Sequence, residues 1–173
     1  LIGFDDPPKR AFNGLSFDGV DDYISIPNTA FLSNTWTLGM WVYPNAITSG
    51  FTTLYSYVPS VGWIQFFINL SAFVFVTTNL GDVTFSGSTV PTGQWSLIQV
   101  SSNNQAVTGY VNAVPAGTGT LTTPTGAAIN RIGWDGEAGR AFNCRMGAIY
   151  IHNWALSASD RQALYLSPYA PYG

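Results

Sequence analysis

Trp63-Ile64-Gln65-Phe66-Phe67-Ile68-Asn69-Leu70 changes character with every residue. Ile64, Phe66, Ile68 and Leu70 are all apolar, whereas Trp63, Gln65, Phe67 and Asn69 mix two rings with two amides. A period of two belongs to an extended strand, whose successive side chains point to opposite faces. The first set therefore reads as the inward face. The second reads as a face kept soluble by its amides until a partner covers its rings.

The same texture runs outward in both directions. Strands are expected at Leu15–Phe17, Tyr23–Ile26, Thr35–Tyr43, Phe51–Tyr57, Ala72–Thr77, Val83–Phe85, Gln94–Ser101, Ala106–Val111, Ala128–Ile132 and Cys144–Trp154. Between them lie Asn13-Gly14, Asp18-Gly19, Pro44-Asn45, Leu80-Gly81-Asp82, Asn103-Asn104 and Asp135-Gly136, residues that accept turn dihedrals. Short strands spaced by turns point to a sandwich or a barrel. One short helix is expected near the end, with Ser157 as N-cap, Asp160 in its first turn and Pro168 preventing its continuation. Thr118–Gly126 reads as a loop. Residues 1–14 read as an N-terminal extension, 15–166 as one domain, and 167–173 as a Pro/Tyr-rich tail.

Composition narrows the function. Among 173 residues only 9% are charged, with 6 Lys and Arg against 9 Asp and Glu, while 15% are aromatic. A chain this poor in basic residues has no electrostatic footprint for nucleic acid. No apolar run approaches the ~20 residues that span a bilayer, and the first residues lack the basic-then-apolar order of a signal peptide. With Cys144 as the single cysteine, no intrachain disulfide can form, and the core must hold by packing.

Several blocks resemble one superfamily. They are Leu15-Ser16-Phe17-Asp18-Gly19-Val20-Asp21-Asp22-Tyr23-Ile24-Ser25-Ile26-Pro27, then Trp36–Pro44, Gln94–Val100 leading to Gly109–Asn112, Arg131–Gly133, Arg140–Asn143, Ile149–Ser157 and Ala163–Tyr165. In this order and spacing they resemble the laminin-G-like, concanavalin A-like lectin/glucanase superfamily. The resemblance implies an all-β fold, a two-sheet antiparallel jelly-roll sandwich closed by one short C-terminal helix. The tail Leu164–Tyr172 is similar to the ends of laminin-G-like proteins of tailed bacteriophages.

Glycoside hydrolysis needs two carboxylates about 5–9.5 Å apart, and glucanases of the superfamily set them on alternate residues of one strand. Here Glu137 is the single glutamate and lies in a Gly-rich turn, while adjacent Asp21 and Asp22 point to opposite faces of a strand. The expectation is no enzyme. Cys144 and His152 share a strand and are an even number of residues apart, so both could face one way, but eight extended residues separate them by ~27 Å. Asp18, Asp21 and Asp22 could contribute to a calcium site, a feature the resemblance makes familiar. However, Gly147-Ala148 stand where the family's closing strand carries an acidic pair. The preferred reading is an Asp-Gly turn and no cofactor.

Aromatic excess is the remaining signal. Trp41, Trp63, Phe67, Tyr110 and Trp134, with Gln65 and Asn69, form the expected ligand or partner face, because sugars and protein interfaces both favour such rings. The expected function is a lectin-like, non-catalytic binding module at a virion surface or outside the cell. The foremost reading is a phage head-decoration or tail-associated protein, contacting virion structural proteins, a second copy or a cell-surface glycan. The other reading is a carbohydrate-binding module of a secreted polysaccharide-active protein or an adhesin.

Overall fold

The computed structural model describes residues 14–29, 34–47, 50–56, 64–69, 73–78, 80–123 and 129–167. Trp63, Leu70 and the extension and tail beyond these bounds lie outside the described residues. The elements are β1 (Leu15–Asp18), β2 (Ile24–Thr29), β3 (Thr35–Pro44), β4 (Phe51–Ser56), β5 (Ile64–Asn69), β6 (Phe73–Thr78), β7 (Gly81–Thr89), β8 (Ser96–Asn103), β9 (Ala106–Val111), β10 (Val114–Thr120), β11 (Ile129–Ile132), β12 (Asn143–His152) and α1 (Ala158–Leu166). They form two six-stranded sheets, a back sheet ordered β1-β12-β3-β8-β9-β10 and a front sheet ordered β2-β11-β4-β5-β6-β7. Every pairing is antiparallel, as a jelly-roll sandwich requires.

The alternation in β5 sets its inner face as expected. Ile64, Phe66 and Ile68 are fully buried and join Trp36, Leu38, Met40 and Val42 of β3 in one core. Each such side chain contributes roughly 1.5–3 kcal/mol when fully buried, so packing suffices without a disulfide. Tyr55 ties the layers together. Its hydroxyl crosses from the front sheet to donate to the Gly39 carbonyl at 2.5 Å and to the Tyr150 carbonyl at 3.2 Å. Burial pushes the phenol's pKa far above its ordinary range, so it remains a donor. Phe85 of β7 packs against the bare backbone of β9, where a Cβ on Gly109 would lie 2.3 Å from the ring.

The back sheet is also covered on its outer side. After β12 the chain folds back, and Thr37 Oγ1 donates to the Trp154 carbonyl and accepts from the Leu156 amide, each at 3.0 Å. The helix follows with the expected cap: Ser157 Oγ accepts from the Asp160 amide, and Asp160 returns a bond to the Ser157 amide. Leu156 and Leu164 then pack on Trp41 and Leu97 in a second, smaller core.

Two expectations change. β10 falls where the sequence reads as a connection and a Thr/Gly/Pro loop. It is an edge strand carrying Pro115, Gly117 and Gly119, so it has neither the alternation nor the β-branched density of a central strand. In β12, a bulge between Met146 and Ile149 reverses the side-chain parity. Cys144 therefore lies in the sandwich core, while His152 faces the opposite side, against Trp154. The two groups do not share a face.

The β8–β9 and β9–β10 hairpins turn on Asn104-Gln105 and Asn112-Ala113, all four with positive φ. This is the geometry of a two-residue type I′ turn, whose second position favours glycine. Ala113 at φ 64° bears the left-handed penalty directly. Ala113→Gly is expected to stabilise the fold by about 0.5–1 kcal/mol after the extra unfolded-state entropy of glycine, raising Tm by roughly 1–4 °C. Calorimetry checks this, and a lower Tm would show that the turn carries no such strain.

Candidate functional site

The outer face of the front sheet is built on β4 and β5. Thr53 pairs with Phe67 and Phe51 with Asn69, so these four side chains share it. Phe67 is only 2% exposed. Phe51 lies against it with centroids 5.5 Å apart, and the Arg140 guanidinium sits 5.9 Å from its ring centre. This corrects the expectation that Phe67 awaits a partner: the chain covers it from within. Gln65 and Asn69 remain half-buried on the same face.

The cover is the segment 133–142, which joins β11 to β12. At Gly133, with φ +98°, the chain turns upward; a Cβ there would strike the Phe17 ring at 2.8 Å. The segment then lies against β4. Ser56 Oγ donates to the Trp134 carbonyl at 3.3 Å, and the Thr53 amide donates to the Arg140 carbonyl at 2.9 Å. Asp135 holds the segment together. Its side chain is 1% exposed, and one carboxylate oxygen accepts from the Glu137 amide at 3.0 Å. The other accepts from Arg140 Nη1 at 3.1 Å, the one ion pair among the described residues.

On the near side of this ridge lies an aromatic corner. Tyr23, 45% exposed, precedes β2, and Trp134 stands 6.0 Å from it between centroids. The indole Nε1 is fixed by a 2.8 Å bond to the Glu137 carbonyl. Arg131 of β11 lays its guanidinium 4.6 Å from the Tyr23 ring centre, a cation–π contact that leaves its in-plane N–H donors free to bond. Sequence reasoning had singled out Trp134 but not Tyr23, Arg131, Asp135 or Arg140. The signal was the arginines themselves. All four described arginines stack over rings, Arg145 on Tyr43 and Arg161 on Tyr110 completing the set.

The other expected face residues lie on the far side of the molecule. Trp41, 2% exposed, stacks on Tyr165 of α1 at 5.7 Å, and Tyr110 is 8% exposed beneath Arg161. Both point outward from the back sheet as a ligand face would, but α1 covers them. Cys144 offers no nucleophile, since burial pushes its thiol pKa well above the ordinary range.

Asp18, Asp21 and Asp22 do converge, with one carboxylate oxygen from each within 4.8 Å of the others. All three are exposed, and two oxygens are engaged by the turn itself: Val20 N–H donates to Asp18 Oδ1 at 2.8 Å and Asp18 N–H to Asp22 Oδ2 at 2.9 Å. Calcium takes 6–8 oxygens from carboxylates, backbone carbonyls and water, and here the turn's own amides compete for two of the carboxylates.

A family model described as the concanavalin A-like lectin/glucanases superfamily matches residues 18–160. The chain belongs to this superfamily. Among curated protein sequences none matches. Solved structures share the lectin-like architecture. Domain 4 of AbnA, a GH43 extracellular arabinanase from Geobacillus stearothermophilus seen with arabinotriose, is 24% identical with a TM-score of 0.68, over 83% of this chain and 72% of that one. A heptameric SAP-like pentraxin from Limulus polyphemus is 13% identical with a TM-score of 0.64, over 87% and 80%. A Trypanosoma rangeli sialidase reaches a TM-score of 0.69 at 17% identity, but the 90% of this chain that aligns spans only 27% of the sialidase. At these identities the likeness is one of fold. As a lectin-like superfamily member, the chain has the architecture of carbohydrate-binding domains, and no described helix is long and apolar enough to cross a membrane.

Two solution experiments follow for this superfamily member. Burial lowers the His152 pKa below 6.5, with Asp160 partly opposing the shift. The native state thus binds fewer protons than the unfolded chain, and His152 contributes stability above about pH 6.5 that is lost as pH falls toward its folded pKa. Tm should drop more between pH 7.5 and 5.5 in the wild type than in His152→Gln; equal drops would contradict the assignment. For the acidic turn, a calcium at a hundredfold over its Kd would add about 2.7 kcal/mol, roughly 5–10 °C. Chelation is expected to leave Tm within ~1 °C, and a loss of several degrees restored by calcium would overturn the turn reading.

Proposed function

We propose that this chain is a non-catalytic carbohydrate-binding module of a secreted or surface-exposed protein, and that its ligand meets the outer face of the front sheet. One observation carries the reading. That face offers ring planes at Tyr23 and Trp134 and a guanidinium at Arg131, while the carboxylates that converge among the described residues, Asp18, Asp21 and Asp22, lie in an exposed turn that bonds two of them to its own backbone. Asp135 is buried and ion-paired with Arg140, and Glu137 stands alone in the exposed turn. Such a surface can stack and hydrogen-bond a sugar, but it lacks the acid–base or acid–nucleophile pair that glycoside hydrolysis requires. The arabinotriose seen with the arabinanase domain supports a sugar as the ligand class. The virion-surface setting rests on the closing Leu164–Tyr172 stretch alone.

The test pairs binding with turnover. The protein is expected to be retained by at least one of arabinan, galactan and β-glucan while releasing no reducing ends from any of them. Turnover that vanishes in Glu137→Gln would make it an enzyme.

A further inference from the structure

Resting on the sugar-binding reading, we infer that the site is an end-on one: it takes a chain terminus or short branch of one or two sugar units, seated at the Tyr23–Arg131–Trp134 corner. An internal stretch of polysaccharide laid across the sheet would not fit. The inference comes from the ridge. A long glycan crossing the front sheet from β2 to β7 would have to pass over β4, and there segment 133–142 occupies the surface. Thr53 and Ser56 of β4 are fully buried and Phe67 of β5 nearly so, although none belongs to the inner face. The ridge is fastened to β4 at two points, by Ser56 Oγ to the Trp134 carbonyl and by the Thr53 amide to the Arg140 carbonyl, and the Arg140 side chain reaches over Phe67 of β5. Inside it, the Asp135–Arg140 pair is seated over Phe51 and Phe67. Nothing in this arrangement is a loose loop that a ligand could push aside cheaply, because doing so would expose a buried carboxylate and the Phe67 ring.

Among the described residues, what remains uncovered on the ridge's near side is a shelf two strands wide, β2 and β11, where Ser25 is exposed beside Arg131. At ~4.8 Å per strand the shelf is about 10 Å across, the scale of one or two sugar rings. Its recognition elements suit that size. Trp134 supplies a ring already oriented by its indole bond to Glu137, and Tyr23 a second ring at an interplanar angle of 53°. Two tilted rings form a cradle for one ring-shaped ligand, not a flat track for many. Arg131, stacked on Tyr23, adds donors for hydroxyl oxygens at the same place. The side chains expected to form a track, Gln65 and Asn69, lie beyond the ridge.

The experiment is titration calorimetry of the whole chain with arabino-oligosaccharides and cello-oligosaccharides of one to six units. Affinity for the bound series should stop rising at two units. Tyr23→Ala and Trp134→Ala should each weaken it roughly tenfold, the scale of one aromatic contact, while Gln65→Ala and Asn69→Ala leave it unchanged. Tyr23 is exposed, so its variant should keep the wild-type Tm and serve as the control for folding. Affinity that climbs through six units, or that is lost in the Gln65 and Asn69 variants but kept in Tyr23→Ala, would overturn the end-on site and leave sugar binding standing. Failure of both series and of the three polysaccharides to bind would overturn the sugar-binding reading and this inference with it.

Discussion

Asp135 is the one buried carboxylate among the described residues, and the proposed binding surface is arranged around it. A buried carboxylate is tolerated only when paired and hydrogen-bonded. Here the Arg140 guanidinium and the Glu137 amide meet that requirement. Satisfying them draws segment 133–142 down onto β4. That closure buries Thr53, Ser56 and Phe67, seats Arg140 on two rings and leaves Trp134 standing against Tyr23. One constraint thus divides a broad sheet face into a sealed centre and an open corner.

Such a ridge is affordable because the sandwich beneath it does not depend on charge. With few ionisable side chains, the chain is held by apolar and aromatic packing between two sheets, with the Tyr55 hydroxyl as a polar tie across the core. The second core under α1 gives the back sheet burial on both faces, so β3 is buried along nearly its whole length. Arginines are then free for a different task. Each described one sits over a ring, extending apolar cover on the surface. On the proposed reading, the same habit leaves Arg131 and Tyr23 placed to meet a hydroxylated ligand.

The architecture was largely legible because it rests on local signals. Alternation in β5 identified an inner face, turn residues marked most strand ends, and Ser157 with Asp160 announced the helix cap. What failed was non-local or concealed by one residue. The β12 bulge inserts a parity change that no spacing rule between Cys144 and His152 could register. β10 lacks a strand's composition because it is an edge strand and carries proline. Phe67 and Trp41 were read as open rings, since alternation tells which residues share a face but not what later chain will cover it. Segment 133–142 covers one and α1 the other, and both arrive from more than sixty residues downstream. The corner was legible only in Trp134. Its partners Tyr23 and Arg131 meet through sheet pairing of β2 with β11, a contact that sequence distance hides.

The central claim is that segment 133–142 is a fixed part of the sheet's surface. Amide hydrogen exchange tests it most directly. Protection at Thr53, Glu137, Arg140 and Phe142, whose N–H groups are bonded to the ridge or within it, should match that of the paired strands β4 and β5. Exchange at these four amides at the rate of an exposed turn, with β4 and β5 otherwise protected, would contradict it.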